Sequence, residues 1–176
     1  PAAIQSALFT GISMYISRMV APFGKAANAV QKVGSQIESL SWLTAGGFQM
    51  ALCAFVGQNF GAKQPKRVLK GVNYALISMI IYGIFVTLIL YIIPGPIFQI
   101  FTKDQIAIEK GIDYLKILSI SQVFMIVESL IGGAFNGLGK TVPQSIVSLS
   151  FNALQIPMAY FFIKYYGLNG IWLAIT

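Results

Sequence analysis

The feature that most constrains this chain is a long stretch without charge. No Lys, Arg, Asp or Glu occurs between Lys70 and Lys103, and the segment inside this stretch is apolar on every side of a helix. A bilayer core about 30 Å thick is crossed by roughly 20 apolar residues in an α-helix, because lipid offers no partner to an exposed backbone N–H or C=O. The stretch therefore predicts a membrane-spanning helix.

Composition extends this prediction to the whole chain. Charged residues make up 10% of the 176 residues, against about 25% in a typical soluble domain, and the mean hydropathy is +0.74. Charge-poor runs recur at about 1–22, 35–57, 71–94, 112–138, 141–164 and 167–176, the last too short to span. We expect an all-α polytopic bundle, a single transmembrane domain over 1–176, with five full spans and the start of a sixth. We interpret the chain as part of a longer protein.

Cations at the span ends predict the orientation. Four of them cluster in a predicted loop at about 58–70: Lys63, Lys66, Arg67 and Lys70. Lys and Arg beside a span stay on the cytoplasmic side during insertion, so this loop, and by alternation Lys140, is expected to be cytoplasmic. The net charge of +7 is explained by this topology, and no basic patch for nucleic acid is present. We expect a multi-pass protein of a cell membrane, in bacteria the inner membrane.

Missing residue types exclude several chemistries. The sequence has no histidine, and its one cysteine, Cys53, lies within a predicted span. Zinc hydrolysis, Ser-His-Asp catalysis and an internal disulfide are therefore ruled out for this segment. The five acids form no cluster of the kind that holds a divalent metal. We expect no enzymatic activity and no cofactor.

Glu128 is the polar residue with the clearest functional signal. It lies near the middle of the predicted span 112–138, roughly 15 Å from the helix end at ~1.5 Å per residue. Inserting a carboxylate there costs at least about 2.5 to 3.5 kcal/mol, so it must face the bundle or a wet cavity and find a partner or a proton. We predict a functional role, against the alternative of a neutral glutamate that joins two helices by a hydrogen bond.

Other polar side chains follow helical spacing and form stripes. The stripes are Thr141, Gln144, Ser148, Asn152 and Gln155 in the fifth span, Ser6, Thr10, Ser13 and Ser17 in the first, and Glu38, Ser41, Ala45 and Gln49 in the second. We predict that the stripe of the fifth span lines a cavity, together with Gln5, Ser13 and Gln49. The alternative is that these groups only hold helices together, each contributing roughly 0.6 to 2 kcal/mol.

Two further features of the spans bear on motion and on lipid contact. The third span has no polar stripe, so we expect it to face lipid. Pro157 lies inside the fifth span, where its ring removes a backbone hydrogen bond and is expected to kink the helix. We predict a hinge there, with a purely structural bend as the alternative.

Four motifs, in this order, resemble those of the multidrug and toxic compound extrusion (MATE) family of efflux transporters. They are AFVGQNFGAK at 54–63, GAFNGLGKTVP at 133–143, NALQIP at 152–157 and GLNGIW at 167–172. The residues that carry the first two are Gly57, Gln58, Gly61, Ala62, Gly137, Gly139 and Thr141. The resemblance covers nearly the whole chain.

The resemblance implies a fold of two six-helix lobes around a central cleft. This chain would supply helices seven to eleven and the beginning of twelve, and its partner would be the N-terminal lobe. The implied activity is export of small organic, often cationic, compounds, driven by inward Na⁺ or H⁺. In several members acids of helices seven and ten bind the coupling cation. Glu128 stands about one turn from the tenth-helix position, and the seventh helix of this chain has no acid, only Gln5 and hydroxyls.

Two alternatives stay open at this point. A flippase for lipid-linked oligosaccharides, from the wider superfamily, would share the bundle but present a larger cationic cleft, whereas charge inside these spans is sparse. A membrane scaffold that transports nothing would need neither an intramembrane acid nor polar stripes.

Overall fold

The computed structural model describes residues 2–176, with the side chains of residues 9–176, and this part of the chain is helical apart from short connections. The helices are α1 (Ala2–Val20), α2 (Lys25–Gly61), α3 (Pro65–Ile92), α4 (Pro94–Phe101), α5 (Gln105–Gly137), α6 (Thr141–Tyr166) and α7 (Leu168–Ile175). Within the described range, α2, α3, α5 and α6 are long and apolar enough to cross a membrane. The all-α polytopic fold expected from the sequence is confirmed.

Helices extend further into the connections than the charge pattern indicates. The loop predicted at about 58–70 is reduced to residues 62–64, because α2 continues to Gly61 and α3 begins at Pro65. Proline suits a first helical turn, where its missing N–H would have no partner anyway. Lys66, Arg67 and Lys70 therefore belong to α3. Hydropathy detects the part of a helix that is in lipid and misses turns that project beyond it.

The connection after α3 contains a short helix that the sequence analysis did not predict. α4 packs on the start of α5, where the fully buried ring of Phe98 lies against Gly111. α5 begins beside it with a capped end, since Oδ1 of Asp104 accepts a hydrogen bond from the backbone N–H of Ile106 at 3.0 Å.

The pair α2 and α5 forms the frame of the bundle. Tyr114 packs on Gly34 near one end of the pair, and Gly137 lies against Gly57 near the other. Between them, Oγ of Ser129 donates a hydrogen bond to Oε1 of Gln49 at 3.1 Å. The same residue offset separates the members of all three pairs, so the two helices run parallel in a constant register along most of their length.

Both helices of this pair end in the same turn. At the end of α2 the N–H of Gln64 bonds to the carbonyl of Asn59, and Lys63 has a φ of 56°. At the end of α5 the N–H of Lys140 bonds to the carbonyl of Phe135, and Gly139 has a φ of 72°. This is the Schellman arrangement, in which one left-handed residue closes the helix. We call the end of the bundle that carries these turns the inner end, after the predicted orientation, and the end with α4 the outer end.

The remaining helices pack around this frame. α3 contacts both α2 and α5, and Val68 and Met79 join Leu52, Ile126 and Leu130 in one buried cluster. At the outer end α7 turns back along α6. There the indole of Trp172 meets the ring of Tyr114 edge to face, with 5.1 Å between the ring centroids. Ile171 of α7 packs with Ile16 and Val20 of α1, which connects the first helix to the rest.

Close approach of α2 and α5 depends on glycine. A Cβ at Gly133 would lie 2.6 Å from the carbonyl oxygen of Gln49, and a Cβ at Gly137 would lie 2.5 Å from that of Cys53. Backbone atoms cannot move aside as a flexible side chain can. At Gly46 and Gly47, by contrast, no described atom of another helix lies within 4 Å of such a Cβ.

We predict opposite effects of Gly→Ala substitution at these two kinds of position. Gly133→Ala and Gly137→Ala should destabilise the full-length protein by about 1 to 3 kcal/mol through overpacking. Gly46→Ala and Gly47→Ala should be neutral or stabilise it by up to about 1 kcal/mol, because alanine favours a helix. Thermal unfolding in detergent micelles measures both. Equal midpoints in the two pairs would contradict the close contact.

Candidate functional site

Two carboxylates belong to the membrane-spanning parts of the long helices, Glu38 on α2 and Glu128 on α5. The register of the two helices places Glu38 about 15 Å nearer the outer end than Glu128, at ~1.5 Å per residue. A single bound ion contacts ligand atoms at 2 to 3 Å, as for the hard cations that proteins bind through oxygen. The two acids therefore belong to separate sites. Among the described residues, no group of three or more His, Cys, Asp or Glu could hold a metal ion.

Glu38 is half-buried and has neighbours on both helices of the frame. Its Oε1 accepts a hydrogen bond from Nε1 of Trp42, one turn along α2, at 3.3 Å. The carboxylate also lies near enough to the Tyr114 hydroxyl to interact with it electrostatically. Tyr114 is only 3% exposed. Glu38 thus has one polar neighbour on each helix of the frame.

Glu38 is not among the site residues predicted from the sequence, which places it only in the polar stripe of the second span. The signal that was available is a glutamate four residues before a tryptophan in an apolar helix, because residues at that spacing lie on one face and can pair.

Glu128 has a different environment. Its side chain is exposed, and no described residue donates a hydrogen bond to its carboxylate or forms an ion pair with it. The sequence analysis expected a carboxylate turned into the bundle or a wet cavity. The structure places it on the flank of α5 that borders α6, since Gly132, one turn further along, contacts the side chain of Gln144.

The polar stripe of α6 lies beside this flank. α5 and α6 are joined by the three residues 138–140 and run antiparallel, so one turn outward from Gln144 brings Ser148 to the depth of Glu128. Gln144, Ser148, Asn152 and Gln155 are all half-buried, whereas Thr141 is exposed. The stripe shares its side of α6 with Ala159, which is fully buried. It therefore faces the bundle and not the bulk lipid.

The other predicted cavity residues are distributed over two surfaces. Ser13 is exposed on α1, and its carbonyl accepts a hydrogen bond from Oγ of Ser17 at 2.9 Å. Gln49 belongs to the interface of α2 and α5 through Ser129, and it borders a groove of about 390 Å³ with Cys53 and Asn136. The side chain of Gln5 lies outside the described side chains.

Pro157, the predicted hinge, lies within a helix that remains continuous. α6 extends from Thr141 to Tyr166 as one helix, with Pro157 exposed on its surface. One turn later, the hydroxyls of Tyr160 and of Tyr15 on α1 are hydrogen-bonded to each other. This bond joins α6 to α1 near the proline.

The family-motif residues shape the inner end of the bundle. Gly57 and Gly137 let α2 and α5 touch, with 3.4 Å between a Cβ at Gly57 and the Gly137 carbonyl. The backbone carbonyl of Gln58 accepts a hydrogen bond from the N–H of Ala62. Gly139 is the left-handed residue in the turn that ends α5. Gly61 is the last residue of α2 and Thr141 the first of α6.

Comparison with known families agrees with this architecture. The model of the MatE family matches residues 1–161. The chain belongs to the MatE family. Its members are membrane transporters, and the resemblance drawn from the four motifs is confirmed.

The relatives of this MatE chain are named as transporters or resistance proteins. It is 31% identical to the probable multidrug resistance protein NorM of Thermotoga maritima, over 99% of this chain and 38% of the relative. It is 22% identical to a FAD transporter of Shewanella oneidensis, over 99% of this chain and 39% of the relative. Human multidrug and toxin extrusion protein 1 is 22% identical over 82% of this chain and 26% of the relative. The chain spans less than two fifths of the curated relatives it matches.

Solved structures show the same fold. A MOP superfamily transporter of Pyrococcus furiosus superposes with a TM-score of 0.90 at 17% identity, over 97% of this chain and 38% of that one. The MATE transporter VcmN of Vibrio cholerae, in its bent form, gives a TM-score of 0.90 at 23% identity, over 99% of this chain and 40% of that one. The MatE chain therefore has the fold of one lobe of such transporters.

We predict that the hydrogen bond between Ser129 and Gln49 contributes to the frame. Ser129→Ala should destabilise the full-length protein by roughly 0.6 to 1.7 kcal/mol, the range of interhelical hydrogen bonds in membranes. Ser150→Ala is the matched control, because the Ser150 hydroxyl bonds only to the carbonyl of Ile146 in its own helix. Unfolding in detergent micelles measures both variants. A loss as large in Ser150→Ala would contradict a special role for the interhelical bond.

Proposed function

We propose that this chain is the C-terminal lobe of a secondary active exporter that moves small organic compounds out of the cell in exchange for inward Na⁺ or H⁺. Membership of the MatE family supports transport, and the names of the Thermotoga and human relatives support drugs and toxins as substrates. The lobe has carboxylates at two depths and half-buried polar side chains along α6, which suit a cavity that holds water and ions.

The observation that carries this proposal is that the Glu128 carboxylate has no partner among the side chains that the structure describes. A carboxylate within a membrane span is costly unless it is neutralised by a proton, a cation or a partner. No described residue supplies a partner. In our proposal a proton or cation that binds and leaves neutralises Glu128, and this is the property required of a coupling residue.

Coupling follows if the two charge states of Glu128 favour different arrangements of the lobe. Charged Glu128 favours an arrangement in which water reaches the flank between α5 and α6. Neutralised Glu128 tolerates closer packing against Ser148 and its neighbours on α6. A bound ion and a bound substrate must favour opposite arrangements, because a ligand that binds both equally shifts nothing. Pro157 supplies the point at which α6 bends, since its ring removes one backbone hydrogen bond.

The partner of this lobe, in our proposal, is a second six-helix lobe. The chain matches 38% of the Thermotoga relative, which leaves length for such a lobe. Exposed hydroxyls on α1, including Ser13 and Ser17, would face the cleft between the lobes. We place the assembled protein in a cell membrane, the inner membrane in bacteria, with the turn at 62–64 in the cytoplasm.

We predict that Glu128→Gln in the full-length protein abolishes cation-driven efflux without lowering its amount in the membrane. Glutamine keeps the size of the side chain but cannot gain or lose the charge. Uptake of a fluorescent organic cation into inverted vesicles, under an imposed Na⁺ or H⁺ gradient, measures the coupling. The matched control is Glu109→Gln, an exposed acid near the start of the same helix, which should transport normally.

Glu38→Gln tests the competing site. Normal transport by Glu128→Gln, with loss of transport in Glu38→Gln, would assign coupling to Glu38 and its neighbour Tyr114 and contradict our assignment.

The alternative substrates are tested in the same vesicles. Movement of FAD, the compound named for the Shewanella relative, or of a lipid-linked oligosaccharide, with no movement of organic cations, would contradict drug export.

A further inference from the structure

The outward side of α3 joins basic residues at the inner end to a continuous apolar surface. Its exposed side chains follow helical spacing, and we call them the α3 face: Lys66, Lys70, Tyr74, Ile77, Ile81, Ile84 and Leu88. The opposite side of α3, with Val68, Met79 and Leu90, is buried. Lys66 and Lys70 are therefore at the centre of the outward side and not at its margin.

The α3 face differs from the exposed side of α1 in having no polar stripe at depth. α1 exposes Ser13 and Ser17, whereas the polar stripe of α6 is half-buried and faces the bundle. On the α3 face the residues from Ile77 to Leu88 are isoleucine or leucine, and Ile81 is 64% exposed. A surface of this kind packs against lipid acyl chains and offers no hydrogen-bonding side chains to a water-filled cleft.

Positive charge at the inner end is not balanced by any acid of this chain. Lys63, Lys66, Arg67, Lys70 and Lys140 are all exposed at that end. The five acids lie further out, and Glu128, on the same helix as the inner turn, is about 14 Å from it at ~1.5 Å per residue. The inner end therefore attracts anions.

We propose that the α3 face binds an anionic phospholipid of the cytoplasmic leaflet, with the headgroup phosphate held by Lys66 and Lys70 and the acyl chains along Ile77, Ile81 and Leu88. Side chains of a helix tilt toward its N-terminus, and the N-terminus of α3 is at the inner end. The lysine stems and the Tyr74 ring therefore point toward the headgroup layer. Tyrosine is enriched at this level because its ring is apolar and its hydroxyl is polar.

The spacing of the two lysines fits a phosphate ligand. Lys66 and Lys70 are one turn apart, a rise of about 6 Å, so two ammonium groups can reach one phosphodiester from either side. Arg67 and Lys63, beside them, strengthen the local attraction without facing the apolar surface. The proposal requires that α3 meets lipid and that its N-terminus is cytoplasmic. It does not require that Glu128 couples transport.

The test uses the full-length protein in detergent and compares phosphatidylglycerol with phosphatidylcholine by native mass spectrometry. The wild type should bind phosphatidylglycerol more tightly. Lys66→Gln with Lys70→Gln should reduce this preference about 25-fold, because each cation near an anionic surface contributes roughly fivefold. Lys66→Arg with Lys70→Arg should retain it. Lys103→Gln with Lys110→Gln, an equal loss of charge at the outer end, is the matched control and should also retain it.

Several outcomes would overturn the proposal. They are equal binding of the two lipids by the wild type, an equal loss in the outer-end control, and loss of the preference when inorganic phosphate is added at millimolar concentration. If the double variant does not fold, the single variants Lys66→Gln and Lys70→Gln decide, each with a reduction of about fivefold. Glu128→Gln should bind phosphatidylglycerol as the wild type does, so failure of the coupling proposal and failure of this one are distinguishable.

Discussion

Lipid offers no hydrogen bonds, and this constraint determines most of what the structure contains. Each backbone N–H and C=O within the bilayer must be paired inside its own segment, so the described chain is helical. Side chains obey the same constraint, because most serines and asparagines in the spans donate to a carbonyl one turn earlier, as Ser150 does to Ile146. The exceptions are informative. The Oε1 of Gln122 and the Nε1 of Trp172 are buried without a partner among the described residues, and Glu128 has none either.

Without a hydrophobic force between helices, association depends on close packing and a few polar contacts. The frame of α2 and α5 has both. Glycines at 57, 133 and 137 bring the two backbones together near the inner end, and Ser129 bonds to Gln49 one turn outward from Gly133. Toward the outer end the larger rings of Tyr114 and Trp172 fill the space. The tight inner end and the turns that follow it explain the first two family motifs, at 54–63 and 133–143, because these motifs specify a helix contact and two helix ends.

The structure shows that the two intramembrane acids, Glu38 and Glu128, have different surroundings, which the sequence does not reveal. Glu38 has Trp42 and Tyr114 as neighbours, and Tyr114 comes from a helix about eighty positions later in the chain. Helical spacing finds Trp42, but only the parallel register of α2 and α5 finds Tyr114. For Glu128 the sequence indicates how deep the residue lies in its span and that placing a carboxylate there costs free energy. The rotation of α5 about its axis determines that the Glu128 side chain borders the stripe of α6 and has no partner on α2. The apolar residues of α5 are spread too uniformly around the helix for the sequence to predict that rotation.

The sequence by itself determined that this chain crosses a membrane several times and which family it resembles, because span length, charge and glycine motifs are local properties. It also found the stripe of α6 and the apolar side of α3, since a helix repeats every 3.6 residues. Only the tertiary structure decided that α2 and α5 are parallel partners, that the second-span stripe is an interface and that α4 caps the outer end. Those contacts join residues far apart in the chain, and in lipid almost any apolar face could pack against another.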